Sequence, residues 1–254
     1  MFRRTLGLSW RCAGSDAREP RSGAISVLTK ERHGCKTWMA VYSNGDAKQL
    51  LSARPPLDRG ASQQLAAKLF PSESLEPLED GSLSFTNPAD DELLVGCFPG
   101  VSVVAAKEYA IDYPSRLPAE LASPALGRVV HLHAMHSVVD WFAFAVWHDG
   151  ALVRALSLSP DSGVMEDVGA RQPFEIPYWE GLHPAVDPGD DPDDYPLPFH
   201  PLDLGEAALL EFFGYQLEGS IDPTHLDPED IPLMQFKRSK SRSARQSRPW
   251  WKLW

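Results

Sequence analysis

Two apolar runs, VVDWFAFAVWH at 138–148 and ALVRALSL at 151–158, meet at Asp149-Gly150. That dipeptide is a strong hairpin signal, because a two-residue type I′ turn needs positive φ at both central positions. With a two-residue loop His148 faces Ala151, and every other pair follows from that register. One face then carries Trp141, Ala143, Ala145 and Trp147 with Leu152, Arg154, Leu156 and Leu158. The other carries Phe142, Phe144 and Val146 with Val153 and Ala155. Both faces are mainly apolar, so hairpin 138–158 is expected to be central in a sheet covered on both sides.

The elements around it read as short. Twenty-three prolines interrupt the 254 residues, and each removes a backbone donor and clashes with a preceding helical turn. KTWMAVYS at 36–43 ends in the turn Asn44-Gly45-Asp46 and reads as a first strand. A helix follows at about 58–70, where Asp58 caps the free amides, Ala61, Leu65 and Leu69 share a face, and Pro71 stops the run. LLVGCF at 93–98 and VSVVAA at 101–106 flank Pro99-Gly100, and periodicity leaves the second open between strand and helix. RVVHLHA at 128–134 reads as a strand, and SLSPDSG at 157–163 as a strand exit into turns, without the G-x-S-x-G setting of a hydrolase serine. Asp203 and Glu206 form a capping box for a helix at 203–213 that Gly214 ends. The fold class is therefore α+β: a mixed or antiparallel sheet around the central hairpin, with a few flanking short helices.

Charge divides the chain into three. Residues 1–34 hold seven Lys/Arg against three Asp/Glu, and residues 237–254 hold seven against none. Residues 35–236 keep 10 basic and 32 acidic side chains, a balance of −22 within an overall −11. We read residues 1–34 as an extension, 35–236 as a single globular domain, and 237–254 as a basic tail bearing Trp250, Trp251 and Trp254. A body this acidic repels phosphate backbones, so it is not expected to bind nucleic acid. The tail could meet nucleic acid or an anionic membrane, remain solvated, or fold back on the body. No run of about 18 apolar residues is present, and neither is the apolar segment of a secretory signal. Cys12, Cys35 and Cys97 form no CxxC pair. A cytoplasmic protein is expected.

The densest set of metal-competent side chains is His131, His133 and His136, with Asp140 nearby. On a strand the first two project to one face, and a turn could return His136 to them, giving three imidazoles at zinc spacing. The same rings could equally be hydrogen-bonded core histidines. Lys107 and Glu108, with Asp112, could meet His133 or His136 as a catalytic group or could form structural ion pairs. Asp187, Asp190, Asp191, Asp193 and Asp194 lack calcium-loop spacing and read as a solvated loop. Tyr178, Trp179, Tyr195 and Phe199 lie in proline-rich stretches, where they could line a partner groove or cover the sheet. There is no phosphate-binding glycine loop, so no nucleotide cofactor is expected.

The strings CKTWMAVYSNGDA, LLVGCFPGVSVVAAKE, HLHAMHSVVDWFAFAVWHDG, LVRALSLSPDSGVMEDVG, YPLPFHPLDLGEAALLEFFGYQLEG and IPLMQF resemble a bacterial domain-of-unknown-function family, number 6928, over residues 35–238. The resemblance implies a domain boundary near Cys35 and a cytosolic setting, and it brings no assigned activity. Two functions are weighed from the residues: a non-enzymatic binding, immunity-like or regulatory protein with a basic protein partner, and a metal-assisted hydrolase using residues 131–140.

Overall fold

A computed structural model describes residues 36–186, 189, 195–219 and 221–240. The expectations for residues 1–34, Cys12, Cys35, the five aspartates at 187–194 and the three tail tryptophans lie outside the described residues.

The chain is built on one antiparallel sheet of ten strands. In chain order these are β1 (Lys36–Ser43), β2 (Glu73–Pro77), β3 (Gly81–Ser82), β4 (Glu92–Phe98), β5 (Val101–Ala105), β6 (Val129–His136), β7 (Trp141–His148), β8 (Ala151–Ser159), β9 (Gly163–Gly169) and β10 (Pro232–Lys240). Nine of them follow the spatial order β2-β10-β4-β5-β1-β6-β7-β8-β9, with β3 beside β10. The hairpin at Asp149-Gly150 forms with both residues at positive φ, 48° and 82°. Its strands are seventh and eighth along the path, and β1 stands at the middle.

The pairing inside that hairpin differs from simple alternation. Trp147 opposes Leu152, but Val146 opposes Arg154, so Val153 is an extra residue. One inserted residue flips every side chain beyond it. Leu156 and Leu158 therefore join Phe142, Phe144 and Val146 on one face, while Ala155 joins Trp141, Ala143, Ala145 and Trp147 on the other. Arg154 turns inward as well, fully buried over the Phe144 ring. Its guanidinium donates to both oxygens of the equally buried Glu175, at 2.9 and 2.6 Å, which pins the segment after β9 to the sheet.

Helices cover both faces. On one lies α2 (Arg59–Leu69), capped as expected by Asp58, whose carboxylate accepts from the Ala61 amide at 2.9 Å. With it pack the short 3₁₀ turns Lys107–Tyr109 and Pro114–Arg116. The other face carries α1 (Ala47–Ser52), α3 (Ile176–Trp179) and α4 (Pro201–Phe213). α4 begins two residues before the expected capping box. His200 is the cap, accepting from the Leu202 amide at 3.3 Å, and Pro201 takes the first turn, where a missing donor costs nothing. Glu206 instead accepts from the Leu217 amide at 2.8 Å. Gly214, at φ 81°, ends the helix as expected.

Four residues of the charge-defined tail are strand. β10 runs through Lys237, Arg238 and Lys240, between β2 and β4. Arg238 is held by Glu73 and Glu108 and lies over the Phe70 ring. Among the described residues no helix is long and apolar enough to cross a membrane.

Candidate functional site

β6 carries all three histidines of the expected metal cluster, and its geometry separates them. The strand continues straight through His136, so alternation sends His131 and His133 to the α4 face and His136 to the opposite one, against Trp38 at 5.6 Å. His133 is wholly buried. Its Nε2 lies 3.0 Å from the Gly205 carbonyl, which can only accept, so Nε2 carries the proton and Nδ1 accepts from the Thr37 hydroxyl at 2.6 Å. Burial lowers its pKa to about 4. His131 packs on Phe212 with centroids 4.6 Å apart, and burial likewise lowers it to about 4. His136 uses Nδ1 to accept from the Val138 amide at 3.2 Å. No group of three metal-competent side chains converges among the described residues. The three imidazoles weighed as zinc ligands are not brought together, because β6 runs without a turn through His136.

The second expected cluster also dissolves. Glu108 is occupied by Arg238, at 2.7 and 2.9 Å, on the α2 face of the sheet, away from His133. That contact makes it part of a structural ion pair. Lys107 opens the same 3₁₀ turn, and no described contact joins it to a histidine.

Other residues come together around the start of α4. The β6–β7 turn brings Asp140, at φ 47°, within 3.6 Å of His200 Nε2. His200 has Nδ1 committed as the acceptor for Leu202, so its Nε2–H points to the Asp140 carboxylate. Tyr195 stacks on His200 at 5.8 Å, and Tyr178 stacks on His183 at 4.3 Å while its hydroxyl donates to the Asp203 carbonyl at 3.1 Å. Burial pushes both tyrosines up to about 12 and also raises the Asp203 carboxyl.

The four aromatics weighed as partner contacts divide here. Phe199 is fully buried and Tyr178 nearly so, and they form outer core. Trp179 and Tyr195 are only partly buried. Trp179 lies edge-on to Phe199 at 4.9 Å under the Arg171 guanidinium at 4.0 Å. Its Nε1 and the Tyr195 hydroxyl are covered yet lack a hydrogen-bond partner among the described residues. The β6–β7 turn that brings Asp140 to His200 exposes two consecutive valines, Val138 at 74% and Val139 at 50%. Both valines belong to the apolar run 138–148 expected as the hairpin's first strand, but they lie in the turn that precedes β7. The local cues to a turn are the polar residues on either side of them, His136 and Ser137 before and Asp140 after.

A family model described as Family of unknown function (DUF6928) matches residues 37–236. The chain belongs to this family. The match covers β1 through the first half of β10, so the DUF6928 region contains the hairpin, both long helices and the surface around His200. The family carries no assigned activity. No curated protein and no solved structure matches the chain.

Proposed function

We propose that this DUF6928 protein is a non-enzymatic binding protein, regulatory or immunity-like, that engages a basic protein partner through the surface around His200. The observation that carries the reading is the exposed pair Val138-Val139 beside Asp140, His200 and Tyr195. Adjacent large aliphatics at a turn tip lose water-exposed area only when something covers them, and such patches mark contact surfaces. Trp179 and Tyr195, both partly exposed, add side chains of the types that dominate binding energy.

Charge supports the choice of partner. Asp140 directly follows the two valines, Glu180 is exposed at the end of α3, and the body between residues 35 and 236 has a balance of −22. An acidic rim around an apolar centre selects a basic surface and speeds its encounter. Affinity capture at low ionic strength with the wild-type chain and with Val138→Asp/Val139→Asp tests this. The wild type is expected to retain a basic protein that elutes as salt rises, and the double variant to lose it. Retention of nothing at low salt, or equal retention by both chains, sinks the reading.

A further inference from the structure

The sheet ends in two edges, and they are guarded unequally. β2 closes one with five residues that include Glu73, Glu76 and Pro77, and shortness, charge and a missing donor all discourage further pairing. β9 closes the other. Among the described residues it pairs only with β8, and its seven residues contain no proline. It extends about 23 Å, a length that a peptide strand of equal size matches. A bulge at Met165 interrupts the register with β8, and Glu166–Gly169 run regularly beyond it. Each face of the sheet reaches this edge as a half-exposed valine. Val164 opposes Leu158 on the α4 face and Val168 opposes Ala155 on the α2 face, with 43% and 41% of their surface open. An incoming strand therefore meets an apolar neighbour on both faces, besides the backbone groups that β9 does not spend on β8.

Charge selects the occupant. Glu166 accepts from the Ser115 amide and hydroxyl, neutral donors that leave its charge in place. Asp167 shares the Arg154 guanidinium with Glu175, one cation between two carboxylates. Each arrangement leaves a negative charge over at the edge. A second copy would set these acids against their own kind, and like charges across a strand pair are destabilising. The balance of −22 over residues 35–236 adds to that repulsion. A strand in which lysine or arginine alternates with apolar residues meets both the charge and the valines. We propose that β9 is a strand-addition site for such a basic, extended segment of another protein, independent of the surface around His200. Main-chain pairing supplies the affinity, Val164 and Val168 take apolar side chains, and Glu166 sets the preference for cations.

Hydrogen exchange of the full chain, read by mass spectrometry, tests this with a synthetic heptapeptide of alternating lysine and valine. The fragment spanning β9 is expected to exchange several-fold more slowly with the peptide present at low salt, and to lose that protection as salt is added. The same peptide N-methylated at every internal residue has no donors to pair, and is expected to protect nothing. Glu166→Gln is expected to weaken the protection several-fold with the thermal midpoint unchanged. Val138→Asp/Val139→Asp is expected to leave it as in the wild type, so the outcome does not hang on the surface around His200. Absence of protection at β9, protection at β2 instead, or equal protection by the N-methylated peptide overturns the proposal. So does a β9 already protected without peptide, by another segment of its own chain if at every concentration and by a second copy if only at high concentration.

Discussion

His133 is sealed between β1 and α4, with both ring nitrogens used and no room for a second proton. Protonation would put a donor where the Thr37 hydroxyl already donates, in a fully buried site, and burial is what holds the pKa near 4. The sign of the pH effect follows. Above pH 6.5 both folded and unfolded rings are neutral, and His133 contributes nothing to the pH dependence. Between 6.5 and about 4 the unfolded chain takes a proton that the folded ring refuses, so stability falls as pH falls. The loss for this one residue is on the order of 3 kcal/mol by the lower limit. Urea unfolding between about pH 7 and pH 4.5 should show it as a falling midpoint. His133→Gln, which keeps a donor for Gly205, should reduce that slope without abolishing it, because the buried His131 is lowered to about 4 as well, and should lower stability at neutral pH. An unchanged slope would mean the ring opens to solvent.

At the scale of elements, α4 is seated by what it lacks. Gly205 faces the sheet, and a Cβ there would come within 2.6 Å of Met135 Sδ and 3.2 Å of Phe142 Cδ2. Gly205→Ala gains about 1 kcal/mol in helix propensity and loses about 1–3 to overpacking. A net loss of about 1 kcal/mol is expected, read as a thermal midpoint lower by roughly 2–4 °C. A rise would show that α4 slides freely on the sheet. The same contrast between local and distant information decides what could be read in advance. Asp149-Gly150 and Asp58 carry their geometry in one or two residues, and both stand where expected. The bulge at Val153 has no local mark, and reading through it put Arg154 on the wrong face. β9 and β10 were missed because their apolar residues are few and their partners fix them. The surface at His200 was legible only in part. Tyr195 was among the aromatics considered and lies only five residues from His200, but the approach of Asp140 to His200 depends on the β6–β7 turn and α4 meeting across sixty residues of sequence.

The whole molecule is closed by a strand that arrives late. β10 fills the place between β2 and β4, pairing Met234 with Val95 and Arg238 with Leu75. It also pairs β3. A chain stopped after Leu226 would leave β2 and β3 unpaired and uncover Leu93 and Val95 beside them. Binding of a hydrophobic dye several-fold above the full chain, with a broadened urea transition, is the expected result; a sharp, dye-free transition would show that the other strands stand alone. During synthesis the ribosome releases β2 roughly 160 residues before the partner that completes it. For that interval the nascent chain presents an apolar slot in its own sheet, open to any extended segment that passes. Whatever shields it in the cell, a chaperone or speed of translation, acts on a polypeptide still being made.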